Sequence, residues 1–157
     1  MDDPVKVLIA KEQIREVVWR RAKATDEGDA AGSLACYHLG GTESHEGFDG
    51  PIEEYLAKAS PALVEDSPVE VCFHVVGNVL VDVSGTTARA ESRFLCGLTA
   101  NEGGIRTDYW NSGRYLDDFA FRDGRWAIIR RVCEYDWSRS DPPTTRWWER
   151  PSYASHS

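Results

Sequence analysis

Four long β-rich runs follow one another in the second half of the chain: VEVCFHVVGNVLVDV from Val69, TTARAESRFLCGLTA from Thr86, IRTDYWNSGRYLDDFAF from Ile105 and RWAIIRRVCEYDW from Arg125. The segments between them, VSGT, ANEGG and FRDGR, carry the Gly and Asp residues of tight hairpin turns, so the runs predict an antiparallel meander. A strand in a small sheet is usually about five or six residues long. Runs this long require strong twist or β-bulges, and either one curls a sheet around an interior.

The first half of the chain reads as helical. Pro4, after Asp2 and Asp3, is a good helix start, and Leu8, Ile14, Val17, Val18, Ala22 and Thr25 recur at near-helical spacing up to an end around Glu27 to Asp29. Asp29 can cap a second helix over AAGSLACYH, and Pro51 opens a third over IEEYLAKA. Between these two lies a glycine-rich turn and a short strand near His45 to Phe48. Helices followed by strands predict an α+β fold, a curved antiparallel sheet with N-terminal helices across its mouth enclosing a pocket. A chain of 157 residues fits one domain, placed at 1–137, with a tail at 138–157 that packs on the domain or on a neighbouring subunit.

Charge and cysteine usage exclude several functions. A net charge of −8 with scattered basic residues argues against a nucleic-acid partner or an anionic membrane surface, which recruit clustered Lys and Arg. No apolar stretch approaches membrane-spanning length. Cys36, Cys72, Cys96 and Cys133 are widely spaced with no CxxC pair, so they read as buried thiols in a reducing, cytoplasmic setting, with no metal site. Neither a phosphate loop, a dinucleotide fingerprint nor a nucleophile elbow is present, which favours chemistry without a cofactor.

The candidate catalytic groups are Asp26, near the end of the first helix, and His74, inside the apolar run FHVV. His38, His45 and His156 fall in expected turns or the tail, which sets His74 apart. Each residue alone also has an ordinary structural explanation. Together, a carboxylate that holds one ring nitrogen leaves the other free as a general base, suited to elimination, dehydration, isomerisation or cyclisation. Arg131 alternates onto the more apolar row of the last strand, so it is either paired with a carboxylate or facing a cavity, where it can hold a developing negative charge. Arg21 lies beside the inward stripe of the first helix and either reaches the pocket or snorkels to water. Tyr109, Trp110 and Tyr115 are candidate substrate contacts as well as candidate core residues.

IREVVWRRAKATDEGD, GFDGPIEEYL, HVVGN and GRYLDDFAFRDGRWAIIRRVCEYDW together resemble the SnoaL-like branch of the nuclear-transport-factor-2-like superfamily, over nearly the whole chain. The motifs are most similar to the group containing scytalone dehydratase, hexachlorocyclohexane dehydrochlorinase and bile-acid dehydratase. The resemblance implies a cone-shaped α+β fold, an Asp–His dyad at Asp26 and His74, Arg131 lining the site, no cofactor, and a homo-oligomer, dimer or trimer. Two departures stand out. Arg21 occupies a first-helix position where the dehydratases tend to have Tyr or Lys, and the run Phe94 to Thr99 lacks the second His or Asp that dehydratases carry, which favours a single-base elimination or isomerisation.

The resulting expectation is a lyase or isomerase acting on a small hydrophobic ring compound. A non-catalytic small-molecule-binding protein or a scaffold subunit of the same fold is the alternative.

Overall fold

The computed structural model describes residues 3–45, 47–58 and 66–141. The first helix, α1 (Pro4–Asp26), starts as the sequence dictates. Asp3 caps it by accepting the Val5 N–H at 3.0 Å, and Pro4 occupies a first-turn position that needs no N–H donor. Its buried stripe is Ala10, Ile14, Val18 and Ala22, whereas Leu8 faces solvent. Arg21 is also buried, so it does not snorkel to water.

The second helix, α2 (Ala30–Ala35), is capped by Asp29, which accepts the Gly32 N–H at 2.8 Å. It is shorter than the expected AAGSLACYH. Tyr37 and His38 instead begin β1 (Tyr37–His45), because Arg125 donates to the carbonyls of Ala35 and Tyr37 and draws the chain onto the sheet. The predicted glycine-rich turn proves to be an irregularity inside β1, where Leu39 projects into solvent and Gly40 adopts a φ of +77°. A hairpin leads from β1 to β2 (Phe48–Pro51), and Pro51 immediately precedes α3 (Ile52–Lys58). Ala59, at the end of the expected third helix, lies outside the described residues.

The four long runs form β3 (Val69–Ser84), β4 (Thr87–Glu102), β5 (Ile105–Arg122) and β6 (Arg125–Asp141), paired antiparallel as a meander. β1 joins β6 in parallel, giving a six-stranded sheet in the order β2-β1-β6-β5-β4-β3. This is the α+β architecture that the order of runs predicts. β6 continues to Asp141, so the expected tail boundary falls inside a strand, and Trp147, Trp148 and His156 lie outside the described residues.

Bulges bend the sheet. In β3, Asn78 and Val79 together face Ser92, and Asn78 takes a φ of +51°, a left-handed conformation that Asn tolerates. Inward positions therefore change from Cys72, His74 and Val76 to Val79, Val81 and Val83. In β6, Ile129 is the extra residue, and the inward row changes from Trp126 and Ile128 to Arg131 and Cys133. Ile14, Val18, Ile52, Phe119 and Ile128 are fully buried in the core between α1, α3 and the sheet. A smaller cluster of Phe94, Cys96, Tyr115 and Cys133 continues it toward the candidate site.

Gly113 lies within the smaller cluster, across from Phe94, where a Cβ would meet the Glu134 carbonyl oxygen at 2.2 Å and the Phe94 ring at 2.7 Å. The Phe94 ring can shift, but a paired backbone carbonyl cannot. Gly113→Ala is expected to lower stability by about 1–3 kcal/mol, read as a reduced urea midpoint with an unchanged slope.

Candidate active site

α1 ends at Asp26, where a carboxylate meets the unfavourable, negative end of the helix dipole. Hydrogen bonds from β3 offset that penalty. Because β3 is an edge strand, the His74 N–H points away from β4 and donates to Asp26 Oδ2 at 2.9 Å. The other carboxylate oxygen, Oδ1, lies 2.6 Å from His74 Nδ1, which places the imidazole proton on Nδ1. Gripping both the backbone and the ring of one residue fixes the ring's position and its tautomer together. Nε2 has no hydrogen-bond partner among the described residues.

Burial alone would push the His74 imidazole toward its neutral form. The hydrogen bond to Asp26, assisted by the Cys72 thiol, more than offsets this and raises its pKa above the ordinary value. Cys72 Sγ is 3.5 Å from Asp26 Oδ1 and 3.9 Å from His74 Nδ1.

His74 lines two small cavities whose shared walls also include Thr25, His45, Tyr55 and Tyr115. The first, about 60 Å³, adds Phe94, Leu98, Cys96 and Tyr135 to those shared walls, with Asn111 as a further polar group, and is the more apolar of the two. The second, about 30 Å³, is polar and reaches Arg21, Glu43 and Arg131. Larger depressions of about 600 and 400 Å³ are open grooves elsewhere on the surface that do not touch the dyad.

Beneath the polar end, two arginines and two carboxylates are buried. Arg131 donates through Nε and Nη2 to the two oxygens of Asp117, each at 2.7 Å, and lies 4.2 Å over the Tyr115 ring. That leaves Nη1 with no hydrogen-bond partner among the described residues. Arg21 donates to Thr25 and to Ser33 and lies 3.9 Å from Glu43, which also accepts from the Tyr37 hydroxyl. His45 Nδ1 comes within 3.2 Å of Glu43 Oε1, close enough for attraction but out of line for a hydrogen bond, so both atoms lack a hydrogen-bond partner.

Burial opposes ionisation throughout this group; at Asp117 it prevails and holds the carboxyl above its ordinary value despite Arg131, whereas at Glu43 and the arginines the neighbouring charges decide the outcome. Glu43 would be raised by burial, yet His45, Arg21 and Arg131 bring it below the usual carboxylate range. Burial likewise works against the charge on Arg131, but Asp117 holds its guanidinium firmly protonated.

The structure therefore brings together Asp26, His74, Arg131, Arg21 and Tyr115. Tyr109 lies on the same sheet face as Asn111, beside Leu98, but outside the lining of either cavity. Trp110 is on the opposite face, edge-on to Phe73 at 5.6 Å. The alternation of β5 itself separates Trp110 from Asn111.

Sequence reasoning missed His45, Glu43 and Asp117. His45 ends β1 rather than lying in the expected turn, and it stacks on Tyr55 with ring centroids 4.6 Å apart. His38 is likewise a buried strand residue, with Nε2 3.0 Å from the Ala120 carbonyl oxygen. The available signal for Asp117 was its register. Counting back from the Arg122–Arg125 turn puts it opposite Arg130, and the Ile129 bulge moves it opposite Arg131. Spacing also hid a cluster in which Cys72, His74 and Cys96 place their donor atoms within 4.8 Å of one another.

Residues 6–132 match the family model described as the SnoaL-like domain. No curated protein sequence gives a significant match. Among solved structures, a protein provisionally named as a scytalone dehydratase from Novosphingobium aromaticivorans superposes with a TM-score of 0.73 at 20% identity, covering 88% of this chain and 91% of that one. A type 2 hexachlorocyclohexane dehydrochlorinase gives a TM-score of 0.75 at 14% identity, covering 91% and 100%. An NTF2-like protein with a cystatin-like fold from Novosphingobium aromaticivorans gives 0.60 at 25% identity, covering 85% and 90%. The first two likenesses establish a shared fold.

Removing one member of the Arg131–Asp117 pair strands a buried charge. Arg131→Met is expected to cost about 3–5 kcal/mol in urea unfolding, whereas the double variant Arg131→Met/Asp117→Leu loses less, because it removes the stranded carboxylate too.

Proposed function

The chain belongs to the SnoaL-like family, and from that premise we propose that it is a lyase or isomerase in which His74 removes a proton from carbon while Asp26 holds the imidazole in place. The observation that carries this reading is the double grip of Asp26 on His74, through Nδ1 at 2.6 Å and the backbone N–H at 2.9 Å. Two structural relatives carry names that denote eliminations, a dehydratase and a dehydrochlorinase.

In the proposed step the Nε2 lone pair takes a proton from a carbon beside a leaving group or a carbonyl. The electron pair released from that C–H bond expels hydroxide or halide in an elimination, or moves onto the carbonyl oxygen in an isomerisation. The imidazolium is stabilised by Asp26, and negative charge develops toward the polar end of the site, where Arg131 offers Nη1. Such a proton transfer needs no group beyond these side chains.

The apolar walls favour a small hydrophobic ring compound, with its leaving group or carbonyl directed toward Arg131. Arg21 and Tyr115 complete that end of the site. A cavity of about 60 Å³ holds about two waters, so a ring compound enters only when wall side chains give way. His45 at the polar end is a second proton-transfer group, which keeps dehydration within reach although the run Phe94 to Thr99 supplies no acid. Exposed Val71, Phe73, Val75 and Trp137 on the sheet support a homo-oligomer, a dimer or trimer.

The test is a screen of hydroxylated and halogenated ring compounds against the wild type, His74→Gln and Asp26→Asn. His74→Gln is expected to lower kcat/KM by about 10²–10⁴-fold. Equal activity in all three proteins would overturn the dyad, and tight ligand binding that survives His74→Gln with no turnover in the wild type would show a binding protein.

The pH profile gives a separate check. Because His74 must be neutral to act and its pKa is raised, kcat/KM is expected to rise with pH along an acid limb centred above the ordinary imidazole value of about 6.5. Asp26→Asn removes the stabilising carboxylate, so that limb is expected to move to lower pH while the maximal rate falls.

A further inference from the structure

We propose that Cys72, His74 and Cys96 form a binding site for zinc(II). Cys72 and His74 are two residues apart on β3 and point to the same face, and Cys96 stands directly across from His74 on β4. The pleat and the strand pairing thus make a Cys–His–Cys set from residues that no sequence spacing groups together. Their donor atoms all lie within 4.8 Å of one another, and Cys72 Sγ is 3.9 Å from His74 Nδ1.

Tetrahedral zinc, with Zn–S near 2.3 Å and Zn–N near 2.0–2.1 Å, sets the sulfur-to-nitrogen separation at about 3.6 Å. The Cys72–His74 pair therefore closes with a contraction of a few tenths of an ångström, and pairs with Cys96, at up to 4.8 Å, close with a movement of about 1 Å, within the reach of side-chain rotation. Two thiolates and an imidazole suit a borderline-soft d¹⁰ ion, and they discriminate against calcium and magnesium, which require oxygen donors. All three ligands line the 60 Å³ cavity, so the fourth coordination position opens into it.

The charge balance is favourable in a partly buried place. Binding releases the two thiol protons as Zn²⁺ enters, so the net charge of the site does not change. The imidazole proton must also leave Nδ1, since zinc takes that lone pair, and it moves to Nε2. Asp26 Oδ1 loses both its donors, the ring N–H and the Cys72 thiol, while Oδ2 keeps the His74 N–H. A ring protonated on Nε2 has no lone pair to offer, so zinc and proton abstraction exclude one another. Only this last consequence rests on the dyad reading above.

The experiment is titration of the full, metal-free chain with Co²⁺ as a spectroscopic probe, followed by displacement with Zn²⁺. The wild type is expected to develop the near-ultraviolet absorption of a cobalt–thiolate bond and to lose it when zinc is added. Cys72→Ser and Cys96→Ser should each abolish the band, whereas Cys36→Ser, whose thiol donates to the Gly32 carbonyl away from this cluster, should retain it. Circular dichroism verifies that each variant is folded, and if Cys72→Ser is not, Cys96→Ser decides the point. ¹⁵N NMR of the zinc-loaded wild type is expected to show His74 as the Nε2–H tautomer.

No cobalt band in the wild type, a band that persists in folded Cys96→Ser, or an Nδ1–H tautomer with zinc bound would each overturn the proposal. None of these measurements depends on turnover. A failed dyad, seen as unchanged kcat/KM in His74→Gln, is therefore scored separately.

Discussion

The β-bulges are the constraint on which the rest of the structure depends. A strand as long as β3 or β6 that kept strict alternation would keep one row of side chains inward along its whole length, and its sheet would be too flat to enclose anything. The extra residue at Asn78–Val79 lets β3 present Cys72 and His74 to the cavity at one end and Val79, Val81 and Val83 to the core at the other. The Ile129 bulge does the same in β6, turning from Ile128 in the core to Arg131 in the site. Core and site thus use opposite parities of the same strands. The cavity forms where that change of parity and the bend coincide with the end of α1.

Burying Arg21, Glu43, Asp117 and Arg131 beside such a cavity is costly unless the charges nearly cancel and their hydrogen bonds are supplied from several elements. They are drawn from α1, β1, β5 and β6, so the group ties the helix to three strands at once. The bidentate Arg131–Asp117 pair is the rigid part. The Arg21–Glu43–His45 part is looser, with a 3.9 Å separation and buried atoms left without hydrogen-bond partners. Incomplete satisfaction is the expected signature of groups that face a ligand or exchange protons, since a purely structural network gains by completing its bonds.

The sequence made some layers of this structure legible and concealed others for physical reasons. Periodicity and turn chemistry revealed α1 and the four-strand meander, because both are local. The α2 boundary is not legible because Arg125, distant in sequence, binds the carbonyl of Ala35 at the helix end and that of Tyr37 at the start of β1. Asp26 and His74 were visible through matched motifs, and the structure places them within hydrogen-bonding distance. Asp117, Glu43 and His45 were not visible. Their roles depend on strand register and on the parallel joining of β1 to β6, and a one-residue bulge shifts such a register without marking the composition. Trp110 shows the same limit, since neither row of β5 was plainly apolar and only the folded sheet assigns it to the outer face.

His74 Nδ1 is the atom on which the chemical alternatives converge. Held by Asp26, it bears the proton and makes Nε2 a base; bound to a cation between Cys72 and Cys96, it sends that proton to Nε2 and ends the base function. Both states use the same backbone, because the His74 N–H stays on Asp26 Oδ2 in either case. Changing from one to the other therefore requires small movements of a thiol, a ring and one carboxylate oxygen, with no rearrangement of the sheet. The thiols also have a place in the metal-free state: Cys72 lies beside both members of the dyad, and its proximity favours the charged imidazole. Cys72 thus tunes the proton site and, together with Cys96, exposes it to a thiophilic ion.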